Sequence, residues 1–341
     1  MKEEKRKIQL TGGSTYTISL PIKWAREAGV KQGDELSLVQ RADKSLVLTP
    51  LKERGEQVKY AELVLSDKES FEGNFRYLIA HYLVGYDVVK LLSPGGFEAE
   101  ARKSIKAEVR KRLIGMEVVG ESSKEIVLKS FLKYEDFTLR DAIRSMYRII
   151  VSMLEDAISA LEKHDQNRAK DVIERDNEID RFYLLIVRQL KAVISDPELA
   201  KKIGESKQRD SLGYRIIVKM MERMGDHVES IARNSMMMSS SAEITRIREI
   251  GASTKELFTK TLASLADMNI EKANETIRDA KQLSGEVGRV NEQIMAEKWS
   301  ANDKIHALGI MESLRRITKY CEDIAEVTIN LGVTLTGESE L

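Results

Sequence analysis

The chain has 341 residues, of which 42% are hydrophobic and 32% charged, and its 55 basic and 55 acidic side chains give a formal net charge of +0. Single cores stop growing near ~250–300 residues, so two or more domains are expected. The balanced charge excludes a global attraction to nucleic acid or membrane and leaves any such contact local. Cys321 is the sole cysteine, which excludes a disulfide framework.

No apolar run approaches the ~18–20 residues that would cross a bilayer. Met1-Lys2-Glu3-Glu4 opens neither a signal nor a transit peptide, so a cytoplasmic protein is expected.

The first fifty residues read as a small β-rich module. Lys5-Arg6-Lys7-Ile8-Gln9-Leu10 runs into the turn signal Gly12-Gly13, then Thr15-Tyr16-Thr17-Ile18, and a second apolar pair, Leu36–Val39 and Leu46–Leu48, follows Gly33-Asp34. Over residues 1–52, Lys and Arg outnumber Asp and Glu ten to six, so this module is modestly basic.

From 58 to 134 the pattern is α/β: Leu63-Val64-Leu65, a helix over Phe71–Val84, a strand Val88–Leu92, the turn Ser93-Pro94-Gly95-Gly96, a helix over Glu98–Ile114, and a hairpin of Met116–Val119 with Ile126–Leu128. Tyr77, His81 and Tyr82 have ordinary apolar neighbours and carry no catalytic signal. Arg110-Lys111-Arg112 closes a helix, where cations complement the dipole.

Beyond Thr138 the spacing is helical, and no proline follows Pro197. Thr138 and Asp141 form a capping box. Ile143, Met146, Ile150, Met153 and Ala157 make one stripe, and Val172, Ile179, Phe182, Ile186 and Leu190 a second that ends at Asp196-Pro197. Ile217, Met220, Met224, Val228 and Ile231 make a third. The order then returns through Leu257, Ala273, Ile277, Val287 and a helix opened by Ser300 and Asp303. Placing Ile231-Ala232 over Ile324-Ala325 and Ala169 over Ala273 aligns two copies of a three-helix unit.

The spacing predicts a multidomain α+β chain, mainly α. Its expected segments are 1–52, 58–134, a first bundle at 137–238 and a second at 241–335.

Asp176 and Asp180 are four residues apart, as are Glu222 and Asp226, so each pair projects from one helix face. Two readings stand. Carboxylates converging between bundle helices suit Mg²⁺, Mn²⁺ or iron, whereas Arg175, Arg181 and Arg223 would make the same residues an ion-paired, solvated face. In the second copy the matched positions are Ala280, Ser284, Arg315 and Lys319, which cannot ligate a cation as Asp and Glu do. Asp303 with His306 lacks a counterpart, and His227 reads as a core or interface residue or an extra ligand. Phosphate-loop, dinucleotide and H-E-x-x-H motifs are absent, so no enzyme is expected. Met220, Met221, Met224 and Met236–Met238 read as packing.

The opening module resembles the SpoVT/AbrB family through Gln9–Thr15, Ser19-Leu20-Pro21-Ile22-Lys23-Trp24-Ala25, Val30–Asp34 and Leu46–Pro50. The resemblance implies a swapped-hairpin β-barrel shared by two chains, hence a homodimer, and DNA-binding contacts from Lys5, Arg6, Lys7, Ser14, Thr15, Lys23 and Arg26; dimerisation without DNA is the competing implication. The helical region resembles the PhoU family, most clearly at Glu222-Arg223-Met224-Gly225-Asp226 followed by Ile231-Ala232, with Asp176–Asp180 as its acidic second helix. That likeness implies metal binding through Asp176, Asp180, Glu222 and Asp226, and restraint of phosphate import. The fusion of both modules resembles archaeal PhoU-like regulators. The expected function is phosphate-responsive transcription regulation, with DNA at phosphate-transport promoters as partner. The alternative is a regulator that contacts the phosphate transporter ATPase directly and binds no DNA.

Overall fold

A computed structural model describes residues 4–40, 44–51, 58–66, 68–134, 137–195, 199–200, 208–239 and 244–333. Lys52, the stop at Asp196-Pro197 and the expected segment ends at 1, 52, 241 and 335 lie outside the described residues. The chain divides after Gln57 into two compact units.

In the first unit, β1 (Gln9–Thr11) pairs antiparallel with β2 (Thr15–Thr17), Leu10 opposite Tyr16. Gly12 and Gly13 have φ of 63° and 79°, the left-handed turn conformation that glycine adopts without a Cβ penalty. A short helix α1 (Ile22–Glu27) follows Pro21, and β3 (Leu36–Gln40) pairs with β4 (Leu46–Pro50). Among the described residues these are two separate two-stranded sheets, and they do not close into a barrel within one protomer. None of the unit's described residues is buried, and Ile8, Tyr16 and Ile22 are each at least 65% exposed. A hairpin with both faces wet is marginal by itself.

The second unit opens with a four-stranded sheet of order β5-β6-β8-β7: β5 (Tyr60–Val64), β6 (Val88–Leu92), β7 (Met116–Glu121) and β8 (Glu125–Ser130). β5 and β6 are parallel and joined by α2 (Phe71–Val84), while β8 runs antiparallel to both neighbours. Ser70 caps α2 by accepting from the Gly73 amide. With α3 (Ala99–Arg112), this layer buries Phe75, Leu78, Tyr82, Val89, Leu91, Val109, Ile126 and Leu128 in a core of its own.

Among the described residues six long helices follow: α4 (Leu139–Lys163), α5 (Gln166–Ser195), α6 (Ser211–Ser235), α7 (Thr245–Ala266), α8 (Ile270–Ala296) and α9 (Ala301–Gly332). α4, α5 and α6 pack on one another, as do α7, α8 and α9; α4 against α7 and α6 against α9 join the two trios. The predicted caps are present, Thr138 accepting from the Asp141 amide and Ser300 from that of Asp303. The three stripes of the first trio, with Leu257 and Val287 of the second, line one continuous core running through both trios; Ala273 is buried outside that cluster and Ile277 is half-buried. The repeat-matched residues Ile231 and Ile324, Ala232 and Ala325, and Ala169 and Ala273 are all buried.

Candidate functional site

The four predicted carboxylates lie where α5 faces α6. The determining contact is Gly225. A Cβ there would stand 2.6 Å from Ile179 Cδ1 and 2.9 Å from Asp176 Oδ1, so only a residue without one lets the α6 backbone approach Asp176 this closely. Burial first, and then the charges of Asp180, Asp226, Glu229 and Glu222, push the Asp176 carboxyl up to about 7. Asp226 keeps solvent access, yet crowding between the helices and the charges of Glu222 and Asp180 push it up to about 6. Asp180 is raised by the same crowding and by Glu222, with Lys219 and Arg112 opposing.

The arginines expected to neutralise this face do not. Arg175 binds Asp156 and Asp171, and Arg181 binds Glu178. Asp176, Asp180 and Asp226 make no ion pair or hydrogen bond with another described residue. Glu222 alone is held, by Lys219 at 2.5 Å. The result is a set of neighbouring carboxylates that raise one another's pKa, oxygen donors of the type that suits a hard divalent cation. Among the described residues, however, no three acidic, His or Cys side chains are drawn together as a ligand group. Glu229, which sequence reasoning passed over, faces the same cluster electrostatically while pairing with Arg233 at 2.5 Å. Its signal was the 222, 226, 229 spacing on one helix face.

The second trio lacks such a set. Arg315 is bound to Glu312, Lys319 to Glu322 and Asp323, and Ala280 is buried. Asp303 and His306 serve the fold: Asp303 accepts from the Ser239 amide and hydroxyl, and His306 Nδ1 lies 2.9 Å from Asn234 Oδ1. His227 packs against Tyr320, and burial lowers its pKa first, with Arg316 adding to the shift. In the sheet layer, His81 is bonded to the Tyr77 carbonyl, Tyr82 donates to that of Ile114, and Arg112 pairs with Glu72 and Glu108.

In the first unit, Lys5, Arg6, Lys7, Ser14, Thr15, Lys23 and Arg26 are all exposed. Arg6 bonds Glu4 at 2.5 Å and Lys23 lies 3.8 Å from Glu27; Lys5, Lys7 and Arg26 have no ion pair among the described residues.

Comparison with known proteins matches residues 143–235 and 247–328, just over half of the chain, to the PhoU domain. The chain belongs to the PhoU family. Curated PhoU relatives include the "Phosphate-specific transport system accessory protein PhoU" of Escherichia coli, 24% identical over 203 residues that cover 55% of this chain and 80% of the relative. The homologue from Clostridium acetobutylicum is 27% identical over 190 residues, covering 54% and 84%.

Among solved structures, PhoU from Pseudomonas aeruginosa superposes with a TM-score of 0.52 at 20% identity, covering 57% of this chain and 94% of that one. The phosphate transport system regulatory protein PhoU from Streptococcus pneumoniae gives 0.51 at 19%, covering 58% and 96%. These establish the PhoU fold of the paired trios. Residues 9–56 match the family described as "Antidote-toxin recognition MazE, bacterial antitoxin", which supports an AbrB-type opening domain ahead of the PhoU region.

Proposed function

We propose that this PhoU-family chain is a dimeric, phosphate-responsive transcription regulator. Its first unit would bind promoter DNA of phosphate-transport genes, and its helical trios would sense phosphate status, a metal or a partner. The observation that carries the reading is the pairing, in one chain, of a PhoU region with a basic, AbrB-type unit that has no buried residue of its own among those described. Interleaving with a second copy would give such a unit a core and would double its set of Lys5, Arg6, Lys7, Lys23 and Arg26. Lys and Arg supply salt-dependent affinity for phosphates, and Ser14 and Thr15 fix position. A regulatory rather than catalytic role fits relatives named as transport accessory proteins.

The carboxylate cluster supports cation binding by Asp176, Asp180, Glu222 and Asp226. A divalent ion there would supply the positive charge that the described residues withhold, provided Glu222 exchanges Lys219 for it. Only a ligand with different affinity for two arrangements of the helices can pass a signal to the DNA-binding unit. The deciding experiment is a gel-shift series across salt concentrations on promoters of phosphate-transport genes. Binding that weakens steeply with salt, and is lost in a Lys5→Ala, Arg6→Ala, Lys7→Ala triple variant, supports the reading; no binding at low salt removes it. Elemental analysis of the purified chain and of Asp226→Ala tests the metal ligands.

A second reading is favoured by the names of the relatives: direct damping of a phosphate transporter, with the first unit only dimerising. Capture of the transporter ATPase by the chain without DNA would support it.

A further inference from the structure

A groove of about 350 Å³ opens where α4, α6 and α7 meet, at the low end of the ~300–1,000 Å³ typical of ligand pockets. Its walls are apolar: Ile143 and Leu265 are buried, Leu262 and Met268 half-buried. Two polar groups in the wall satisfy each other, the Tyr147 hydroxyl donating to Thr259 Oγ1 at 3.0 Å. Arg140 and Arg144 also line it, one turn apart on α4 and therefore on one face. Both are exposed, and neither makes an ion pair or hydrogen bond with another described residue; Arg148 continues the row in the same condition.

This contrasts with the rest of the same seam. Further along α4 and α7, Lys255 binds Glu155 and Arg248 binds Glu162, each at 2.9 Å, so these two cations are matched by acids across the seam. At the groove the acids are missing among the described residues and an apolar trough takes their place.

We propose that this groove binds a small amphipathic anion. Its apolar body would lie against Ile143, Leu262, Leu265 and Met268, and its phosphate or carboxylate head would be held by Arg140 and Arg144. Guanidinium groups grip such heads with paired, charge-assisted hydrogen bonds, and their aliphatic stems extend the apolar wall. The ligand would touch α4 of one trio and α7 of the other, so its occupancy would favour the present packing of the two.

The test is calorimetric titration of the full chain with octyl phosphate below its micelle concentration, alongside octanoate, inorganic phosphate and octyl glucoside. Saturable binding of octyl phosphate or octanoate, about tenfold or more tighter than inorganic phosphate and with octyl glucoside silent, supports the proposal; the tighter of the two names the head group. Arg140→Glu with Arg144→Glu should weaken that binding by about tenfold or more, the scale of a lost charge-assisted contact. Ala263→Trp, at an exposed lining position, should block the trough while circular dichroism shows the helices intact. Octyl phosphate binding no tighter than either of its halves, or unchanged in both variants, overturns the proposal. Loss of self-association in Ala263→Trp, with no amphiphile bound by the native chain, would assign the groove to a second copy and overturn it equally.

Discussion

Arg188 of α5 donates from Nη1 to the carbonyl oxygen of Tyr82, at 2.5 Å, at the end of α2. The same guanidinium donates to the Tyr86 carbonyl and the Tyr134 hydroxyl, lies 4.8 Å from the centre of the Tyr82 ring and approaches Asp87 at 3.7 Å, all while 1% exposed. One side chain thus ties the sheet layer to the first helical trio. Removing it leaves buried carbonyls without donors, so Arg188→Met should cost about 3 kcal/mol of stability. Chemical denaturation should show the loss, and Arg188→Lys should recover only part of it because a point charge cannot span the three acceptors.

Two glycines in helices should respond with opposite signs. Gly225→Ala places a methyl against Ile179 and Asp176, an overpacking that costs about 1–3 kcal/mol and outweighs the ~1 kcal/mol gained in helix propensity. At Gly285 in α8 a methyl group would meet no atom within 4 Å, so Gly285→Ala should stabilise by about 0.5–1 kcal/mol. Thermal melts of the two variants check this directly.

The elements were legible because local signals agreed with the global packing. Thr138 and Ser300 cap the helices they were expected to open, β6 forms over Val88–Leu92 as expected, and the α4 stripe and all of the α6 stripe except the half-buried Met220 are buried. Arg188 was not legible. Residues 185 to 190 are buried all the way round, because α5 is covered by its own trio on one side and by α2 and α3 on the other, whereas periodicity anticipates one buried stripe. The carboxylate pairs were legible from i, i+4 spacing. That the nearby arginines turn to Asp156, Asp171 and Glu178 instead could not be, since it depends on which rotamers reach which neighbours.

The Asp176 carboxyl titrates near 7 in the folded chain and near its ordinary 3.8 once unfolded. Between those values the folded state holds the extra proton, so this residue's contribution to stability is fully present below about 3.8 and is lost as pH rises through 7. In chelator-treated protein, Asp176→Asn should therefore raise the melting temperature at pH 8 and leave it nearly unchanged at pH 3.5. Added Mn²⁺ should raise the native chain's melting temperature at pH 8 and not that of Asp176→Asn, if the cluster holds the ion.

Cys321 is completely buried in α9, and burial pushes its thiol up to about 12. Thiolate is the reactive form, so a disulfide-forming reagent should leave the native chain unlabelled over hours and label it fully in denaturant. Labelling under native conditions would then proceed only at the rate of opening of the second trio, which makes this residue a built-in probe of that trio's stability.

Leu10 and Tyr16 sit opposite each other across β1 and β2, 58% and 75% exposed, on strands that bury nothing in one protomer. If a second copy covers them, a charge at this pair has no favourable place in the joint core, and desolvating it costs several kcal/mol. Leu10→Asp should therefore weaken self-association of the full chain by about a hundredfold or more, read by light scattering across a dilution series. The helical signal at 222 nm should stay constant, because the trios bury their own core without the first unit. An unchanged dimer would mean that these strands are covered by something other than a second copy of themselves, and that the doubled basic surface inferred for DNA does not form.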